Sequence, residues 1–143
     1  MPVSAGCVEV HSCLVRGYAP LVDHESWRVA SVCKPEDETV DRLKKVHRHL
    51  QTDEVFVLLQ GAATLFIAEE SRKSDALCEV PMERLTLYRV KRGVWHACVL
   101  QPDSTVLIVE NSDTNEGNSE YAEIEGKQFA SGRAMPFPSG TLV

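Results

Sequence analysis

The sequence predicts an all-β fold, a small barrel or sandwich, and three observations carry that prediction. Strand-forming runs recur about every 8–12 residues over most of the chain. Turn residues punctuate them: Gln60-Gly61, Pro81 and Gln101-Pro102-Asp103-Ser104. The 143 residues, 43% apolar and 25% charged, suffice for one domain with a real core and not for two.

Taken in order, residues 7–15 read as a first strand, which Gly17 and Pro20 then break. Residues 27–33 make a better one, with Trp27, Val29, Ser31 and Cys33 on one face. Residues 34–41 are polar, begin beside Pro35 and read as a loop. A strand over 42–49 puts Leu43, Lys45, His47 and His49 on one face. Runs 54–59 and 62–68 flank Gln60-Gly61, a hairpin signal, and 69–75 form a charged tip. A short strand over 77–80 stops at Pro81. Strands follow at 84–90, 94–100 and 105–110. Residues 111–119 are loop-like, and 121–129 hold a short strand or a helical turn. The tail from 131 carries Gly, Pro and small residues. The expected division is a single domain over 1–143, with a barrel core at about 7–111 and a C-terminal extension over 112–143.

The chemistry concentrates in HRHLQTDEVFVLLQG, residues 47–61. Side chains two apart on a strand share a face, so His47 and His49 project together, with Cα atoms roughly 6–7 Å apart. A turn-prone Thr52-Asp53 lets Glu54 return beside them. In KRGVWH, residues 91–96, Gly93 allows the bend that places His96 at the start of a strand. Three imidazoles and a carboxylate suit one divalent transition metal, Mn, Fe, Ni or Zn. They also leave positions open, as in a catalytic site.

His47, His49, Glu54 and Gly61 match HxH, four residues, Glu, six residues, Gly. Gly93 and His96 match a second Gly-x-x-His pattern. On these residues the chain resembles the cupin superfamily. Lys91 and Leu100 stand where the second pattern carries proline and asparagine, and Asp41 where the first carries its leading glycine. The framing residues differ while the ligands are kept. The resemblance implies a double-stranded β-helix, or jelly-roll, barrel with the metal inside one end. It does not fix a reaction, because this fold hosts isomerases, lyases, dioxygenases and simple binders.

Around the ligands, strand parity nominates further residues. Lys45 shares the face of His47 and His49 and is the candidate catalytic group, able to contact a substrate carboxylate or carbonyl or act as an acid. Phe56, Leu58 and Gln60 share the face of Glu54, and Cys98 that of His96. With Tyr88 they are the expected pocket wall. The expected function is metal-dependent isomerase, epimerase or lyase chemistry on a small polar metabolite, a carbohydrate or sugar acid. The alternatives are a metal-dependent dioxygenase and a non-catalytic small-molecule binder.

Net charge −6 argues against nucleic acid or an anionic membrane as partner. Five cysteines without a C-x-x-C pair, and no secretory pattern at the start, imply reduced thiols and a cytoplasmic location. Val55, Val57 and Leu59 face away from the site, and this aliphatic outer face needs a cover. The expectation is a homodimer, with the terminal segments as the competing cover.

Overall fold

The computed structural model describes residues 2–4, 6–39, 43–68, 77–124 and 129–130. Its strands in order are β1 (Gly17–His24), β2 (Trp27–Lys34), β3 (Lys45–His49), β4 (Glu54–Gln60), β5 (Ala63–Ala68) and β6 (Leu77–Pro81). They continue with β7 (Leu87–Val90), β8 (Trp95–Leu100), β9 (Ser104–Asn111), β10 (Ser119–Glu123) and β11 (Phe129–Ala130). One 3-10 turn, Glu116–Asn118, precedes β10. No helix among the described residues is long and apolar enough to cross a membrane.

The strands form two sheets, in the orders β1-β2-β9-β4-β7 and β10-β3-β8-β5-β6-β11. Every pairing is antiparallel except β6 with β11. The inner faces pack on each other. Ala30, Phe56, Leu58, Val106 and Ile108 from the first sheet meet Ala63, Leu65 and Leu100 from the second. Each of these is fully or almost fully buried, and a buried Leu, Ile or Phe side chain contributes roughly 1.5–3 kcal/mol. The second sheet also buries part of its outer face, where Val46, Leu77 and Ala97 pack with Ile124. The alternation expected for β4 is present: Glu54, Phe56 and Leu58 are buried, while Val55, Val57 and Leu59 are half-buried on the other side.

Several expectations need correction. Residues 7–15 contain no strand; the first strand starts at Gly17, where the chain was expected to break. Pro20 is tolerated because β1 is an edge strand whose register shifts between Pro20 and Val22. A proline cannot donate to a ladder, but an edge or a bulge does not ask it to. Gln60-Gly61 is not a hairpin. β4 pairs with β7 and β9, and β5 with β6 and β8, so this turn carries the chain from one sheet to the other. Gly61 has φ +77°, and a Cβ there would lie 2.2 Å from Ser104 Oγ and 2.5 Å from the Asp103 carbonyl oxygen. Only glycine fits that corner. The strand expected from residue 84 begins at Leu87. Within the segment expected as the C-terminal extension, β10 adds to the edge of the second sheet, pairing with β3 from Ser119↔His49 to Glu123↔Lys45. The charged tip over 69–75, Asp41 and the tail from 131 lie outside the described residues. The five cysteines stand as free thiols.

Candidate metal centre

His47 and His96 are direct cross-strand partners on β3 and β8. His49 lies two residues along β3, on the same face. Gly93, at φ +82°, makes the turn into β8 and donates its backbone N–H to the His49 carbonyl at 2.8 Å. Nothing lies within 4 Å of a Cβ built there, so backbone conformation, not space, selects glycine.

Glu54 arrives from the opposite sheet, delivered by a loop pinned on both sides. On one side Thr52 Oγ1 accepts from the Asn111 N–H at 2.9 Å, and the Asn111 amide donates to the Gln51 carbonyl at 3.0 Å. On the other, Asp53 accepts from Arg89 Nε and from the Arg92 N–H, each at 2.7 Å.

The result is a cluster in which His47, His49, Glu54 and His96 each offer a donor atom, all within 4.8 Å of one another. The imidazole centroids stand 4.5 Å apart for His47–His96, 5.0 Å for His47–His49 and 5.6 Å for His49–His96. His96 is 1% exposed and Glu54 5%.

The donor chemistry fits a cation. His96 Nδ1 lies 2.9 Å from the Val94 carbonyl oxygen, which can only accept, so Nδ1 carries the proton. Nε2 of the neutral ring then bears a lone pair, yet it faces Glu54 Oε2 at 2.8 Å. His49 Nε2 faces the same oxygen at 3.0 Å, with its Nδ1 2.7 Å from Ser119 Oγ. Ring nitrogens and a carboxylate oxygen converging this way need either extra protons or a metal ion between them. The contacts on the far ring nitrogens of His49 and His96 orient those two imidazoles as metal ligands require.

Electrostatics point the same way. Burial, helped by the neighbouring His96, pulls the His47 imidazole down to about 4, so it stays neutral. Neutral imidazole is the metal-binding form. Burial works against ionising Glu54, but the bonds and charges of His49 and His96 outweigh it and hold the carboxyl at about 2. His49 is shifted up: burial opposes the shift, and the Glu54 bond and charge prevail.

The other nominated residues are dispersed. The Phe56 ring packs 5.8 Å from that of His96, next to the cluster. Leu58 lies deeper in the core, 1% exposed. Cys98 is half-buried with Sγ 3.9 Å from Met82 Sδ, and burial pushes its thiol up to about 12. Tyr88 packs against the core while its hydroxyl accepts from the Glu83 N–H at 2.7 Å. Gln60 is not brought to the cluster. It is exposed at the other end of β4, donating to Asp103 Oδ1 at 2.9 Å. Lys45 is exposed at the start of β3, with Nζ 5.2 Å from the centroid of the Tyr121 ring.

Sequence reasoning missed a second buried carboxylate. Glu110, 7% exposed, lies on β9 opposite Arg28 of β2. The Tyr18 hydroxyl donates to Glu110 Oε1 at 2.7 Å, and Arg28 Nη1 stands 3.6 Å from the same oxygen. Arg28 is held in turn by Asp23 at 2.7 Å and by the Ser112 carbonyl at 2.8 Å. Burial pushes the Glu110 carboxyl up, and the Glu54 charge adds to that. Burial and the Glu110 carboxylate hold the Tyr18 hydroxyl at about 12, so it remains a donor. The one available signal was the inward parity of Glu110 with Val106 and Ile108 in an otherwise apolar strand.

No protein-family model matches the sequence, and no curated protein sequence matches it. Solved structures do match in shape. One is Pac13, a nucleoside dehydratase, at 12% identity over 70% of this chain and 71% of that one, TM-score 0.52. The Streptomyces protein has also been solved as a variant with uridine, 13% identical over 70% of each chain, TM-score 0.52. Another is KdgF from Halomonas, at 16% identity over 70% of this chain and 81% of that one, TM-score 0.51. At these identities the likeness establishes the fold, a cupin-type double-stranded β-helix barrel.

Proposed function

We propose that this protein is a metal-dependent enzyme acting on a small polar metabolite, by isomerase, epimerase or lyase chemistry on a carbohydrate, sugar acid or nucleoside. One observation carries the reading: three imidazoles and a carboxylate converge within 4.8 Å on the inner wall of a barrel. His47, His49, Glu54 and His96 would hold one divalent ion of Mn, Fe, Ni or Zn. Such an ion supplies Lewis-acid polarisation of a substrate carbonyl or hydroxyl. Glu54 contributes the negative charge that favours a cation, and His47 a neutral nitrogen. Phe56 closes the apolar side of the cluster against His96. Lys45, exposed beside Tyr121 at the start of β3, would meet an anionic substrate at the rim. The lyase arm draws motivation from sharing a fold with a nucleoside dehydratase.

The test has two stages. Elemental analysis of protein soaked with each metal and then desalted should find about one ion per chain, and none retained would end the proposal. Turnover of sugars, sugar acids and uridine should then require metal and proceed equally with and without oxygen. Product formation coupled to oxygen consumption would favour the dioxygenase alternative.

A further inference from the structure

Charged side chains on the first sheet are arranged as a row that runs from exposed Asp23 to buried Glu110. Register pairs Asp23 with Arg28, and Arg28 with Glu110. One step further, Val55↔Val109 and Phe56↔Ile108 set Glu110 opposite Glu54 across the β4–β9 ladder. Both carboxylates belong to inward-facing, buried positions. Directly opposite residues on one face hold their Cβ atoms about 4.5–5.5 Å apart. Two like charges so placed repel, and burying a second carboxylate beside a ligand carboxylate costs stability. Packing would be served better there by another Ile or Val, like Ile108 and Val106 on the same face of the strand.

Support for Glu110 is one-sided. Tyr18 and Arg28 engage Oε1. Oε2 makes no hydrogen bond among the described residues. Tyr18 itself is half-exposed. Glu54, by contrast, turns its Oε2 to His49 and His96. One carboxylate is committed to the ligand cluster. The other is fixed by one oxygen and open at the second.

We propose that Glu110 is the proton acceptor of this site. Its free Oε2 takes the proton of a water or substrate hydroxyl held at the His47–His49–Glu54–His96 cluster. In that step the O–H bond breaks, the electron pair stays on the hydroxyl oxygen, and the proton converts the carboxylate to a carboxylic acid. The proton is later returned to the product or passed to solvent. Tyr18 holds Oε1 in place throughout, and Arg28, anchored by Asp23, compensates the second negative charge. This rests on the metal-centre reading above, and the test separates the two.

The probe is Co2+ alone, whose visible spectrum reports changes in its donor set. The wild-type protein loaded with Co2+ should show a spectral transition as a water at the cluster loses its proton. Glu110→Gln should bind Co2+ within several-fold of wild type but move the midpoint down by about one pH unit or more, because the carboxylate's charge and its bond from the undissociated water both oppose ionisation. Glu110→Asp keeps the charge but withdraws the oxygen by one methylene, and it should move the midpoint in the same direction. A structure of the Mn2+-loaded wild type should show an ordered oxygen within hydrogen-bond distance of Oε2.

If the wild type takes up no Co2+, the metal-centre reading fails. If it takes up Co2+ but shows no transition, or if Glu110→Gln leaves the midpoint unchanged, Glu110 is not the acceptor. If Glu110→Asp behaves as wild type, only charge is acting and the direct contact is wrong. Should Glu110→Gln not fold, the Mn2+ structure decides: Oε2 turned away from any ordered oxygen overturns the proposal.

Discussion

The two ends of the barrel interior are made by the same strands and obey opposite rules. At one end β4 and β9 present Glu54 and Glu110. Two and four residues away, on the same face, they present Phe56 and Leu58, Ile108 and Val106. At the apolar end, burial itself is the stabilising term, and any close-packed hydrophobe of similar volume would serve. At the polar end burial costs free energy, and each group must be paired by a named partner: Glu54 by His49 and His96, Glu110 by Tyr18 and Arg28. The apolar end therefore carries the fold, and the polar end is held together by it.

That contrast can be broken most directly at Leu58, 1% exposed in the apolar half. Leu58→Ala should cost about 2–5 kcal/mol in urea unfolding, with the polar end melting alongside. A loss under about 1 kcal/mol would mean that the core does not hold the site.

Acid tests the polar half. In metal-free protein His47 is held at about 4, below its ordinary 6.5, so between those values the unfolded chain binds a proton that the folded chain does not. Stability should fall as pH drops from about 6.5 to 4, by on the order of 2–3 kcal/mol. The raised His49 opposes part of this, since its contribution is fully present below its unfolded pKa and is lost as pH rises through the folded one. A second loss should follow between about 4.5 and 2, as Glu54 takes up its proton. Unfolding curves collected down this range, with His47→Gln as control, check it. The variant should lack the first loss and keep the second.

His49→Ala should lower metal affinity at least tenfold, about 1.4 kcal/mol, while circular dichroism still reports a folded barrel. Unfolding of this variant at neutral pH would show that the two ends are not separable. On the outer face Val57→Glu should convert a dimer to monomer or aggregate without altering metal content, read by light scattering. A wild type that is monomeric at micromolar concentration removes the dimer. Smallest of all, Lys45→Ala should change stability by less than about 0.5 kcal/mol, because Lys45 is exposed, and should leave metal content intact. Any role it has must show in turnover alone.

The four residues of the cluster were legible in the sequence because the logic that gathers them is local. His47 and His49 share a face by strand parity, Glu54 follows on one short turn, and Gly93 marks the bend before His96. The alternation of β4 was legible for the same reason. Gln60-Gly61 was misread because a turn residue of positive φ serves a hairpin and a sheet-to-sheet corner equally well. Ser104 pressing on Gly61 makes it a corner, and Ser104 lies far along the chain. Gln60 was assigned to the pocket by parity, which gives the face of a strand but not which end of the barrel a residue occupies.

By itself, then, the sequence determined the β class, the strand faces and the four residues that meet in the cluster, since these follow from periodicity and spacing over a few residues. Only the tertiary structure decided which strands are neighbours. Tyr18 and Glu110 are 92 positions apart and meet because β1, β2 and β9 lie side by side. Glu110 stands beside Glu54 because β9 runs next to β4. Long-range pairing is set by how two whole sheets close on a shared core, and no local pattern encodes that choice.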